Sequence, residues 1–150
     1  MKALLQRVNE ASVSINGSVY SSIGHGILVF LGIGLNDTAK EADYLTRRCI
    51  DLRIFEDDQT KMNLSVRDVH GSVLVVSQFT LFADTTKGNR PSFTEAASPQ
   101  VAEELYEHFV SRMREEIGAD RVQTGMFRAM MDVRLINAGP VTIMVESKES

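Results

Sequence analysis

Between Gly26 and Gly34 the chain runs through seven residues, Ile27-Leu28-Val29-Phe30-Leu31-Gly32-Ile33, without a polar side chain. That is far short of the roughly 20 apolar residues a membrane-spanning helix needs. In water such a run between glycines reads as a strand buried on both faces. It therefore demands a sheet with cover on either side. Two amphipathic helices elsewhere in the chain provide cover for one face. The other must be closed by the sheet's own surroundings or by a second copy of the chain.

The flanking segments read as partners for that strand. Ala3 to Val8 and Ser12 to Ile15 are strand material, and Asn16-Gly17 is a two-residue hairpin signal leading to a short strand through Val19 and Tyr20. Thr38-Ala39-Lys40-Glu41 fits a capping box and opens a helix whose apolar positions Ala42, Leu45, Cys49 and Leu52 recur at helical spacing. Arg53 to Phe55 reads as a short strand and Glu56 to Lys61 as a polar loop. After Gly71, the segment Ser72 to Phe82 carries the strongest strand signal in the chain. Ala83 to Ala97 lacks periodicity and contains Gly88, Asn89 and Pro91, a loop long enough to point to function or disorder. Ser98 caps a second helix with Pro99 at its first position; Val101, Leu105, Phe109, Met113 and Ile117 mark its core face, and Gly118 ends it. Strands follow at Val122 to Met126, Met131 to Ile136 and Val141 to Val145. The sum is one α/β domain over residues 1–150, with about seven strands in a largely antiparallel sheet and both helices packed on one side.

Composition narrows the function classes. Sixteen basic against 20 acidic residues leave a net charge of −4, which argues against a wide basic face for gripping a nucleic-acid backbone, duplex DNA included. Contact with only the end of an RNA remains compatible with that balance. The single cysteine, Cys49, excludes an intramolecular disulfide and falls on the apolar stripe of the first helix, where a buried thiol is expected rather than a nucleophile. The segment Met1 to Val8 is interrupted by Lys2, Gln6 and Arg7 and has no signal-peptide hydrophobic region, so a cytoplasmic location is expected. His25, His70 and His108 are scattered, with no spacing that makes a zinc site. The glycines at 24, 26, 32 and 34 do not form a dinucleotide fingerprint, and no G-x-S-x-G elbow is present. No metal or cofactor is called for.

Two segments carry more specific information. Ser77-Gln78-Phe79-Thr80-Leu81 closes the strongest strand, and Asn137-Ala138-Gly139-Pro140-Val141-Thr142 lies between the last two. Taken alone, the first is a strand with one solvated face and the second a proline-containing turn. Together, in this order, they resemble the SQFTL and NxGPVT signatures of the D-aminoacyl-tRNA deacylase family. Gln6-Arg7-Val8, Lys87 to Phe93 and Thr124-Gly125-Met126-Phe127 are similar to family positions as well, so the resemblance spans essentially the whole chain. Ala138 stands where many members carry an acidic residue, and Arg128 where a small one is common.

The resemblance implies a curved sheet, a homodimer with active sites at the subunit interface, and hydrolysis of the ester joining a D-amino acid, or glycine, to the 3′ end of tRNA. Such an ester needs a positioned carbonyl, a stabilised oxyanion and water, with no histidine dyad. The family's use of main-chain amides here implies catalytic roles for Phe79 and Thr80, with Ser77 and Gln78 shaping the substrate site. Thr80 has no general base beside it in sequence, which favours a supporting over a nucleophilic role; assistance from the terminal adenosine's own 2′-hydroxyl is what the family implies. Gly139-Pro140, flanked by Ala138, would enter the partner's pocket, hold the substrate's amino group and exclude L-side chains by collision. The Gly-Pro bond can be cis or trans. Arg7 would brace that segment, and Lys87 and Arg90 are the candidates for tRNA phosphate contact. Two competing readings are a related deacylase acting on mischarged L-alanine, whose strand motif differs from Ser77-Gln78, and a non-catalytic RNA-end-binding module, which would protect the ester rather than cleave it.

Overall fold

The computed structural model describes residues 1–147. Eight strands and two long helices form it: β1 (Lys2–Ile15), β2 (Ser18–Ile23), β3 (Gly26–Gly32), α1 (Ala39–Asp51), β4 (Phe55–Glu56), β5 (Met62–Leu64), β6 (Ser72–Ser77), α2 (Pro99–Ile117), β7 (Val122–Thr124) and β8 (Asp132–Glu146). The main sheet runs β2-β1-β3-β6-β7, with β8 along the other edge of β1; β4 and β5 form a separate hairpin. β1 pairs antiparallel with β2, β3 and β8, whereas β3–β6 and β6–β7 are parallel. The sheet is thus largely antiparallel with two parallel junctions. Each parallel junction needs a crossover, and α1 and α2 supply them. Two right-handed crossovers stepping the same way across a sheet place both helices on one face.

The buried run of β3 sits at the centre as expected. Ile27, Val29 and Leu31 face the helices with Leu45, Ile50, Phe109 and Met113. Leu28, on the opposite face, joins Val8, Val13, Leu74 and Val76 in a second cluster. That second face is closed by curvature: β2 curls back until Ser21 Oγ donates to the Thr124 carbonyl at 2.7 Å. β1 serves both clusters because its pairing with β8 shifts register between Gln6 and Val8 and again between Val8 and Glu10. Ala3 and Leu5 point to the helices before the irregularity, and Ala11 and Val13 point to the second cluster after it. A bulge inverts the facing of every later side chain. The two predicted strands Ala3 to Val8 and Ser12 to Ile15 are for this reason one 14-residue strand.

α1 opens with the full capping box: Thr38 Oγ1 accepts from the Lys40 amide at 3.3 Å and Glu41 accepts from the Thr38 amide at 2.7 Å. The Thr38 hydroxyl, donating to Glu41 Oε2 at 2.6 Å, and the Thr38 amide together hold the Glu41 carboxyl below its usual range. In α2 the buried stripe is Ala102, Tyr106, Phe109, Val110 and Met113, and Val101 is 42% exposed. Residues spaced by four drift around a 3.6-residue helix, so the predicted line through Val101 slides off the core face at its start. Cys49 lies in the core, where burial pushes its thiol up to about 12. No described helix is long and apolar enough to cross a membrane.

Candidate active site

The strongest strand ends earlier than its composition predicts. β6 stops at Ser77, and Phe79–Phe82 form a single 3-10 turn. Gln78 makes the last inter-strand bond, its amide donating to the Leu31 carbonyl at 2.8 Å. The chain then folds over the end of β3, close enough that a Cβ on Gly32 would lie 3.0 Å from the Gln78 carbonyl oxygen and 3.1 Å from Leu81 Cβ. The turn's own bonds begin with the Leu81 amide donating to the Gln78 carbonyl at 3.3 Å. The amides of Phe79 and Thr80 precede that first bond and have no partner within the turn, as at any helical start. Thr80 Oγ1 accepts from the Gln78 side-chain amide. Phe79 and Thr80 are exposed, while Ser77 and Gln78 are half-buried.

Beside this turn lies a cavity of about 680 Å³, lined by Ser77, Gln78 and Phe79 together with residues from three other places. Ile33 and Val76 form part of its floor, Phe93, Ala97 and Pro99 come from the loop leading into α2 and its first residue, and Phe127 to Met131 come from the loop after β7. Phe79 and Phe93 meet edge-on with ring centroids 5.1 Å apart. Phe127 packs against Tyr106 at 5.8 Å, and the Tyr106 hydroxyl donates to the Val75 carbonyl at 2.7 Å. Burial raises the Tyr106 phenol far above its usual value, keeping it a neutral donor. Gly125 makes room for the Met131 sulfur, which a Cβ there would approach to 2.7 Å. Cavities of this size and apolar character are typical of small-molecule recognition.

The long loop after the turn is ordered by backbone pairing. Asp84 and Ser92 exchange hydrogen bonds of 2.7 and 2.9 Å, Leu35 donates to the Glu95 carbonyl at 3.0 Å, and Ala97 donates to the Ile33 carbonyl at 3.0 Å. Lys87 and Arg90 are exposed in the segment between Asp84 and Ser92, and neither lines the cavity.

Gly139-Pro140 lies elsewhere. The two predicted strands around it are one strand, β8, which carries this pair in its interior as a cis peptide with Gly139 at φ +123°. Both residues are exposed, and neither they nor Ala138 line the cavity. The segment is held from behind. Arg7, only 8% exposed, donates from Nε to the Ala138 carbonyl at 3.1 Å and from Nη1 to the Ile54 carbonyl at 2.8 Å. Its Nη2 lies 3.8 Å from Glu56 Oε1. Asn137 Oδ1 accepts from the Val141 amide at 3.1 Å, and Asn137 Nδ2 donates to Thr142 Oγ1 at 2.9 Å. Sequence reasoning quoted Asn137 and Thr142 within the motif without giving them a role. It missed Phe93 and Phe127 to Met131 as cavity walls altogether.

A family model described as D-Tyr-tRNA(Tyr) deacylase matches residues 4–146. The chain belongs to the D-Tyr-tRNA(Tyr) deacylase family. Among relatives of this deacylase family, the D-aminoacyl-tRNA deacylase of Desulfatibacillum aliphaticivorans is 53% identical over 99% of this chain and 100% of its own length. That of Thermosipho melanesiensis is 49% identical, covering 99% of both chains. A solved structure titled c-Myc DNA Unwinding Element Binding Protein superposes with a TM-score of 0.95 at 43% identity, covering 99% of this chain and 100% of that one. A probable eukaryotic D-amino acid tRNA deacylase shares the fold with a TM-score of 0.85 at 19% identity, over 97% and 98% of the two chains.

Proposed function

We propose that this chain is a D-aminoacyl-tRNA deacylase, acting in the cytoplasm as a chiral proofreader of translation. The observation that carries the reading is the turn at Phe79–Phe82, which opens beside an apolar cavity with two main-chain amides ahead of its first hydrogen bond. In this reading the ester carbonyl oxygen sits against the amides of Phe79 and Thr80, with Ser77 and Gln78 bounding the site. Water adds to the carbonyl carbon, the bond to the ribose oxygen breaks, and that oxygen takes a proton to leave free tRNA and amino acid. Preorganised amides stabilise the developing oxyanion without needing an ionised side chain. The terminal 2′-hydroxyl of the tRNA assists. Thr80 has its hydroxyl engaged by Gln78 and, among the described residues, no histidine or carboxylate hydrogen-bonded to it, so it positions rather than attacks.

Chirality is read by Gly139-Pro140 of a second copy. In a homodimer that exposed pair enters the partner's cavity and captures the substrate's α-amino group. An L-side chain then collides with main chain, a D-side chain points outward, and glycine, having none, is also released. The separation of the pair from its own chain's cavity, and its support by Arg7, favour this arrangement. In this reading Lys87 and Arg90, both exposed, meet tRNA phosphates. Duplex DNA is not proposed as a ligand, given the net charge of −4.

The test is release of amino acid from D-tyrosyl-, L-tyrosyl- and glycyl-tRNA by purified protein with EDTA present. Rapid cleavage of the D- and glycyl-esters with the L-ester spared is expected. Equal cleavage of D and L would remove the chiral filter from the reading, and protection of every ester would replace the enzyme with an RNA-end binder.

A further inference from the structure

We propose that Arg128 is a phosphate-binding residue that favours an ester attached to RNA over the same ester on a free nucleoside; the proposal deepens the deacylase reading and rests on it. Of the side chains lining the cavity, one is charged, and it is Arg128. It is exposed at the cavity wall, and its guanidinium forms no ion pair among the described residues. Its backbone lies at φ +68°, a conformation glycine adopts freely and an arginine only at a cost. The loop that holds it is well supported. Phe127 packs on Tyr106, the Ala129 amide donates to the Met126 carbonyl at 3.2 Å, and Gly125 leaves space for Met131. An unpaired cation on a strained residue of a well-supported loop, in an otherwise uncharged wall, is held where an anion from outside the chain can meet it.

The substrate class supplies one. The ester and ribose are uncharged, and the anion nearest to them is the phosphodiester joining the last nucleoside to the rest of the tRNA. A planar guanidinium grips two phosphate oxygens at once, which a lysine does not. In a chain of net charge −4, a cation at the cavity itself also offsets the general repulsion of RNA at the place where binding matters. Lys87 and Arg90 do not line the cavity and cannot substitute for it there.

The experiment compares wild type, Arg128→Gly and Arg128→Lys on D-tyrosyl-tRNA and on D-tyrosyl-adenosine, which has the ester and ribose but no phosphate. Arg128→Gly is expected to raise KM for the tRNA substrate about ten-fold more than for the nucleoside, the loss of one charge-assisted bond, with kcat moved far less. The dependence of log kcat/KM on log salt should become shallower by about 0.7 for tRNA, as one counterion-releasing contact disappears. Arg128→Lys should recover the salt dependence and part of the KM. Thermal stability of Arg128→Gly should rise, because glycine suits the left-handed backbone, so a folding defect cannot mimic the result. Equal losses on both substrates, or an unchanged salt slope, would overturn the phosphate role while leaving the deacylase reading intact. Failure of the wild type to hydrolyse either substrate would overturn both.

Discussion

The two signature segments are built in opposite ways. Ser77 to Leu81 leaves a central strand and folds into its own chain, with Phe93 and Phe127 brought up to wall a cavity around it. Asn137 to Thr142 stays within the outermost strand, presents Gly139-Pro140 to the outside, and is supported through Arg7, the Asn137 side chain and its pairing with β1. One is a receptacle complete on three sides; the other is a buttressed projection. The difference teaches that a rigid projection on one copy is suited to closing a cavity on another, which is the division of labour proposed above.

The sharpest test of that division is complementation. Gly32→Ala places a Cβ 3.0 Å from the Gln78 carbonyl and 3.2 Å from the Phe82 ring, so the turn must shift. At these distances the turn gives by a few tenths of an ångström; as about 1 Å at a reacting centre costs on the order of 100-fold in rate, a loss of about ten-fold is expected. Gly139→Ala sets a Cβ 2.7 Å from Arg7 Nη2 and 3.0 Å from Val141 Cγ2 at φ +123°, and a comparable loss is expected. Co-refolding the two impaired variants should raise activity above either alone, to at least about a quarter of wild type, since half the dimers are mixed and each mixed dimer has one intact site. No recovery, with mixed dimers demonstrably formed, would mean that both segments serve the same chain's site.

Arg7 tests the buttress alone. Its removal leaves the carbonyls of Ile54 and Ala138 without their donor. For Arg7→Ala a loss of about 2–4 kcal/mol in urea unfolding is expected from two lost charge-assisted bonds, together with a reduced ratio of D- to L-ester cleavage. Arg7→Lys should fall between, keeping the charge but not the fork that reaches two carbonyls. A stability loss with the D-to-L ratio intact would make Arg7 a structural residue only. Asn137→Ala, which frees the Val141 amide, should cost about 1 kcal/mol and move the same ratio in the same direction by a smaller factor.

The comparison also explains what was legible in the sequence. The apolar run Ile27 to Ile33 announces a doubly covered strand because it has no polar face for water and, between glycines, is too short for a usual helix. The Thr38–Glu41 box and Ser98-Pro99 announce helices through local bonds. By contrast, Phe79, Leu81 and Phe82 have strand-forming side chains, so nothing local reveals that β6 ends at Ser77; the reason is tertiary, the open flank at Gly32. Gly139-Pro140 reads as a break between strands, yet β8 runs through it, because proline is tolerated on an edge where no ladder bond is required of it. Arg7 taken alone is only a charge on a strand; that it is buried against the Ala138 and Ile54 carbonyls depends on the register shifts around Val8 and the facing of β1. The cavity walls come from three separated loops, and periodicity carries no information between loops.

The smallest expected effect concerns Thr80, and it separates the two accounts of how the receptacle works. If the amides at the start of the turn carry the oxyanion, the Thr80 hydroxyl matters only through its bond with the Gln78 side chain. Thr80→Ala then loses one neutral hydrogen bond at an exposed position, worth less than about ten-fold in kcat/KM, and leaves the D-to-L ratio where it was. A nucleophile behaves differently: its removal abolishes turnover while substrate still binds, and wild type would accumulate an acyl-enzyme in the first turnover. The geometry gives the hydroxyl an amide neighbour rather than a base, and an amide cannot take its proton. Single-turnover assays of Thr80→Ala on D-tyrosyl-tRNA, with folding checked by thermal denaturation, decide between them. A burst in wild type together with complete loss in the variant would move the chemistry from the backbone to this side chain.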